Sequence, residues 1–165
     1  MSDGELIRHA VTAAEITQAR VLFEEYAASI GVDLCFQNFS EELATLPGAY
    51  ARPPGALLLA GTVLRPSGCV ALRPLPEGDP LIGEVKRLYV RPDARGSGLG
   101  KALVLHILAE ASAIGYRELK LDTLPTMAAA RSLYASLGFR ECAAYYRNPL
   151  DGVVYMSLAL SRQLA

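Results

Sequence analysis

The sequence predicts a mixed α/β domain, a central mixed sheet with helices on both faces. Three observations predict it. Stretches of period-two and helical periodicity follow one another as β-α-α-β-β-β-α-β-α-β-β. A glycine-rich turn, Arg95-Gly96-Ser97-Gly98-Leu99-Gly100-Lys101, joins an apolar strand to an apolar helix. Apolar residues make up 52% of the chain, yet no run approaches the ~20 residues of a membrane span, so this surface belongs in a core. No repeat, low-complexity segment or linker divides the 165 residues, so one domain is expected over 1–165.

The elements follow in order. Leu6 to Ala10 is a short first strand. Thr12-x-x-Glu15 forms a capping box, and Ile16, Ala19, Phe23, Tyr26 and Ile30 then share one helical stripe that Gly31 ends. Asp33 to Asn38 reads as a loop, and Ser40-Glu41-Glu42-Leu43 opens a short helix stopped by Pro47-Gly48. After the Arg52-Pro53-Pro54-Gly55 turn comes a strand from Ala56 to Val63. Arg65-Pro66-Ser67-Gly68 reads as a hairpin turn into a strand from Cys69 to Leu75. Leu81 to Val90 is the strand before the glycines, and Leu99 to Ile114 the helix after them. Leu119 to Thr123 alternates as a strand, and Met127 to Leu137 is a helix closed by Gly138. Two strands finish the chain, Phe139 to Tyr146 and Val153 to Leu160, with a turn at Asn148-Pro149-Leu150-Asp151-Gly152 between them.

Composition excludes several classes. A formal net charge of −1 with both signs interspersed argues against nucleic-acid and anionic-membrane partners. Cys35, Cys69 and Cys142 are odd in number and widely spaced, which gives neither a disulfide framework nor a zinc site. With only His9 and His106 besides, no metal site is expected. Sparse cysteine and the lack of a secretory signal pattern suggest a cytoplasmic protein. Monomer and homodimer both remain open.

The glycine turn carries the functional information. A helix that opens on glycines exposes unpaired backbone N–H groups at the positive end of its dipole, which suits phosphate. A P-loop would need glycine at Arg95 and a hydroxyl at Ala102, and a dinucleotide fingerprint would need glycine at Lys101 or Leu103. Arg95-x-x-Gly98-x-Gly100 instead resembles the pyrophosphate-binding loop of the GNAT superfamily of N-acetyltransferases. Ala130-x-x-Leu133-Tyr134-x-x-x-Gly138-Phe139 is similar to a second signature of that family, and both motifs fall on the proper elements in the proper order.

The resemblance implies the acyl-CoA N-acyltransferase fold, a mostly antiparallel mixed sheet with one splayed strand pair. It implies acetyl-CoA as co-substrate and attack of a primary amine on the thioester through a tetrahedral intermediate. Arg95, Gly96, Ser97, Gly98, Leu99, Gly100 and Lys101 would cradle the pyrophosphate. Main-chain groups of Leu88, Tyr89 and Val90 would pair with the pantetheine arm. Tyr134 would donate a proton to the departing thiolate, as a phenol with a pKa near ~10 can at neutral pH. Many relatives carry Asn seven residues before that tyrosine. Here the position is Met127, and Thr126 is the substitute expected to meet the pantetheine.

Glu84 stands in an otherwise apolar strand, eleven residues before Arg95, a spacing at which some family members place their catalytic base. Two readings stand for it: general base, directly or through water, or half of a Glu84–Lys86 pair on one face of the strand. The acceptor side is expected from the early helices and the late hairpin, with Phe36, Gln37, Tyr145 and Arg147 as candidate contacts. That aromatic, amide-rich lining suits a small amine with a polar or carboxylate end. A protein lysine or N-terminus, or a non-catalytic coenzyme A sensor, is the alternative.

Overall fold

The computed structural model describes residues 6–161, so the outermost residues of the expected 1–165 domain lie outside it. The chain forms β1 (Ile7–His9), α1 (Ala13–Ile30), α2 (Phe39–Thr45), β2 (Ala56–Gly61), β3 (Pro66–Pro74) and β4 (Ile82–Val90). It continues with α3 (Leu99–Ile114), β5 (Glu118–Thr123), α4 (Ala128–Ser136), β6 (Arg140–Glu141) and β7 (Val154–Ala159). The sheet is seven-stranded in the order β1-β2-β3-β4-β5-β7-β6. Every pairing is antiparallel except β4 with β5, which α3 joins as a crossover.

Local chemistry sets the helix ends. The Thr12 side chain accepts from Glu15 N and the Glu15 side chain accepts from Thr12 N, the expected capping box. Gly31 closes α1 in the left-handed region at φ 66°. Each face of the sheet carries a core. On one face Leu103, Val104 and Ile107 of α3 pack with Leu58, Val70, Leu72 and Leu121. On the other, Leu22 and Phe23 of α1 pack with Leu57, Leu59 and Ala71. Burying each such leucine or valine contributes about 1.5–3 kcal/mol, which is why α3 and α1 clamp the sheet between them.

Three segments differ most from expectation. The hairpin turn lies at Thr62–Arg65, where Arg65 N donates to Thr62 Oγ1, and Pro66 already begins β3. Its missing N–H is tolerated at the first residue of a strand. Within Asp33–Asn38 a 3₁₀ turn forms at Cys35–Gln37, and Asn38 leaves it at φ 55°. The strand expected from Phe139 to Tyr146 shrinks to Arg140–Glu141. Beyond Cys142 the chain leaves the sheet, and Tyr145 and Tyr146 turn their hydroxyls to the buried Glu84 and the half-buried Asp122.

Two irregularities shape the centre. β4 and β5 pair only from Ile82–Glu84 against Glu118–Lys120 and then part. A bulge shifts the β3–β4 register between Cys69↔Tyr89 and Ala71↔Lys86, with Arg87 at φ 62°. The extra residue places Lys86 and Arg87 on the same side of the sheet. Lys86 reaches Gln37, and Arg87 forms a two-pronged bond to Glu42 of α2 while lying over the Phe39 ring.

Candidate active site

Where β4 leaves β5, the edge of β4 facing β5 has no strand to pair with, while its other edge stays bonded to β3. Leu88, Tyr89 and Val90 sit on this stretch and line a groove of ≈ 570 Å³ together with Arg95, Thr126 and Met127. The glycine turn lies at one end of it. Gly96 and Gly98 hold φ of 82° and 85°, and nothing stands within 4 Å of the Cβ either would carry. α3 starts on Gly98 without a side-chain cap, so its first-turn N–H groups are left for a ligand. Arg95 donates from Nε to the Val90 carbonyl and lies over the Tyr89 ring. The turn fits a pyrophosphate in charge and in access. Lys101 is exposed beside it.

At its inner end the groove meets the gap between the parted strands. Leu88, Asp122, Thr123, Met127 and Tyr134 line this gap. Tyr134 is 6% exposed and rests edge-on against Phe139. Burial pushes its phenol above the ordinary range, so the hydroxyl keeps its proton. Met127, the departure from the usual asparagine, forms the apolar wall shared by groove and gap, and its sulfur accepts from Thr123 Oγ1 at 3.8 Å.

Beyond the gap lies a cavity of ≈ 310 Å³ lined by Gln37, Arg73, Glu84, Lys86, Tyr145 and Tyr146, among others. Gln37 and Lys86, hydrogen-bonded to each other, line both spaces and stand between them. Glu84 is 1% exposed. Its Oε1 accepts from Nε of Arg73 at 2.8 Å and lies 2.8 Å from Nη2 in an ion pair, and its Oε2 accepts from the Tyr145 hydroxyl at 2.6 Å. The expected Glu84–Lys86 pair is therefore replaced by Glu84–Arg73. Cross-strand register explains this, since Arg73 of β3 stands directly opposite Glu84. Lys86 instead donates to Gln37 Oε1 at 3.2 Å and lies 4.0 Å from Asp122 Oδ1. Burial pulls its ammonium below the ordinary lysine value. The Tyr145 phenol is pushed up by burial and by Glu84, so it remains a donor.

Of the candidate acceptor contacts, Gln37 and Tyr145 line the cavity. Arg147 is exposed and outside that lining, where Arg73 takes its place. The side chain of Phe36 lies outside the described residues. Sequence reasoning missed Arg73 and Asp122. Asp122 carried no signal of the kind Glu84 did, since it occupies a polar position of the alternating strand Leu119 to Thr123. Arg73 had none until the β3–β4 register was known.

A parted parallel strand pair, a helix start without a side-chain cap and a buried tyrosine between them suit an acyl-CoA-dependent transferase. The Acetyltransferase (GNAT) family matches residues 21–139, and the chain belongs to it. An uncharacterized N-acetyltransferase of Schizosaccharomyces pombe is 43% identical over 152 residues, 90% of each chain. Rat N-acetylaspartate synthetase is 34% identical over 127 residues, which cover 74% of this chain and 40% of that one. Among solved structures, a Salmonella typhimurium protein with its cofactor acetyl-CoA superposes at TM-score 0.73 and 21% identity, covering 98% of this chain and 96% of that one. A Staphylococcus aureus acetyltransferase of the GNAT family superposes at 0.77 with 17% identity, covering 95% and 99%. These two likenesses show the fold.

Proposed function

We propose that this chain, acting as one domain over residues 1–165 in the cytoplasm, transfers the acetyl group of acetyl-CoA to the primary amine of a small molecule. The observation that carries the reading is the succession of three adjacent spaces: the groove at the glycine turn, the gap at Tyr134 and the cavity beside Glu84. A cavity of ≈ 310 Å³ suits an amine of amino-acid size. The likeness to N-acetylaspartate synthetase supports a small acceptor.

Acetyl-CoA supplies an activated thioester when bound. Arg95 to Lys101 would hold its pyrophosphate, and the free edge of Leu88, Tyr89 and Val90 its pantetheine arm, with Thr126 on the opposite wall. Glu84 takes a proton from the acceptor ammonium, directly or through water. Arg73 pairs directly with that carboxylate, and Tyr145 fixes its direction. Tyr134, held protonated by its burial, donates to the departing thiolate. The arrangement therefore keeps a proton acceptor and a proton donor on opposite sides of the gap.

The test is release of coenzyme A thiol from acetyl-CoA across a panel of small amines, amino acids, lysine peptides and peptide N-termini. Turnover of a small amine well above every peptide is expected. Preference for peptides would overturn the small-molecule reading, and no turnover with any acceptor would favour a coenzyme A sensor.

A further inference from the structure

Lys86 is a buried amine at the place where the proposed reaction needs its thioester. It stands on β4 just past Glu84, the last residue of that strand paired with β5, and it lines the gap with Leu88, Asp122, Met127 and Tyr134. Its side chain is 4% exposed. Nζ donates to Gln37 Oε1 at 3.2 Å, its one hydrogen-bond acceptor among the described residues, although an ammonium carries three N–H groups. Asp122 Oδ1 is the one carboxylate oxygen within 4.0 Å of it among the described residues, and the bonds from Tyr146 and Asn148 to Asp122 go to Oδ2 instead. Glu84 and Asp122 favour the charged amine and Arg73 and Arg87 disfavour it, while burial outweighs them and pulls the ammonium down. The Nζ lone pair is therefore free at a lower pH than in an exposed lysine. The chain has two other lysines, the exposed Lys101 and Lys120, whose Nζ lies over the Tyr145 ring, and neither lines the gap.

We propose that Lys86 is a modification site: the protein acetylates its own Nζ from acetyl-CoA when no small amine occupies the gap. This rests on the reading above, in which the thioester of acetyl-CoA lies in the gap at Tyr134. Nζ attacks the thioester carbonyl carbon, a C–N bond forms and the C–S bond breaks. Asp122 Oδ1 takes the proton that Nζ sheds, and Tyr134 gives its proton to the departing thiolate, so coenzyme A leaves as the thiol. The product is an amide, which lacks the reactivity of a thioester and does not pass the acetyl group on. Lys86 and Gln37 stand between gap and cavity, so the added acetyl group fills the boundary that an acceptor amine must reach. Self-acetylation therefore switches transfer off, once per chain, and an acceptor amine in the gap protects against it.

The experiment incubates the parent with acetyl-CoA alone and follows the acetylation of each lysine by peptide mass mapping. Lys86 should be acetylated at least about tenfold faster than Lys101 and Lys120, because its amine is held beside the thioester while theirs meet acetyl-CoA from solution. With acetyl-CoA below its Kd, Gly98→Val should slow Lys86 at least about tenfold and leave Lys120 as in the parent, since only Lys86 depends on coenzyme held at the glycine turn. A turned-over small amine should slow the acetylation of Lys86, and the acetylated chain should lose kcat with that amine in proportion to the fraction modified. Lys86 left unmodified, modified no faster than Lys101 and Lys120, or modified equally fast in Gly98→Val overturns self-acetylation, and thiol release with the amine panel in the same preparation shows that small-amine transfer stands. Full kcat in the acetylated chain overturns the switch. Acetylation of Lys86 with no amine turned over overturns the small-molecule reading alone, and neither acetylation nor turnover overturns both.

Discussion

Replacing Glu84 by Gln separates the chemical role of this carboxylate from its structural one. The amide keeps the volume and can still accept from Arg73, but it removes the charge that pairs with the guanidinium. Breaking a buried ion pair by changing one partner costs about 3–5 kcal/mol. Here the Arg73 side chain is 24% exposed and recovers part of its hydration, so about 2–3 kcal/mol is the expected loss. For a chain of this size that is a fall of about 5–10 °C in melting temperature. If Glu84 is the base, kcat/KM at neutral pH should also fall about 10²–10⁴-fold. The deficit should narrow as pH rises toward ~10, where the free amine accumulates without help. Calorimetric melting beside kcat/KM from about pH 6 to 10 reads both effects. A lowered melting temperature with a parent-like pH profile would refute the catalytic role and leave deprotonation to water.

Two further outcomes are expected. Gly98→Val meets no neighbour but must hold φ near 85°, and its branches would crowd the amides that face phosphate. It should weaken acetyl-CoA binding at least about tenfold by titration calorimetry, while melting falls only by the about 1–2 kcal/mol of a left-handed valine. Lys86→Met tests the buried ammonium. Because burial lowers its pKa below 10.5, the folded chain binds fewer protons than the unfolded one between that lowered value and 10.5, and stability rises with pH through this window. The variant should melt above the parent at pH 7, with an advantage that shrinks as pH approaches 10.5. A constant difference across that range would show that Lys86 charge costs the fold nothing.

Much of this was readable in the sequence because the signals were local. The Thr12–Glu15 box, Gly31 and the glycine turn each fix the backbone within a few residues, and all fall where expected. The parting of β4 and β5 was implied only by the family resemblance, and it is present. What escaped depends on register and on distant partners. The bulge at Arg87 overturns the simple alternation that would set Arg87 opposite Lys86. Arg73 became legible only as the cross-strand neighbour of Glu84. In the last hairpin most of the first strand is absent, and Tyr145 and Tyr146 bond instead to Glu84 and Asp122, distant partners that no local propensity records.

In the proposed reaction the chemistry lies beside Tyr134, where the groove along β4 opens between the parted strands. Removing one oxygen there tests it most directly. With acetyl-CoA and a turned-over small amine both saturating, and with chemistry limiting the rate, kcat is compared between the parent and Tyr134→Phe. A fall of about ten- to a thousandfold is expected, with the Kd for acetyl-CoA within about twofold, because the lost proton matters only in the transition state. The parent should show no alkaline decline from Tyr134 below pH 10, since burial holds that phenol above its ordinary 10.0. A kcat equal to the parent's would refute proton donation and leave Tyr134 as a packing residue on the helix–sheet interface.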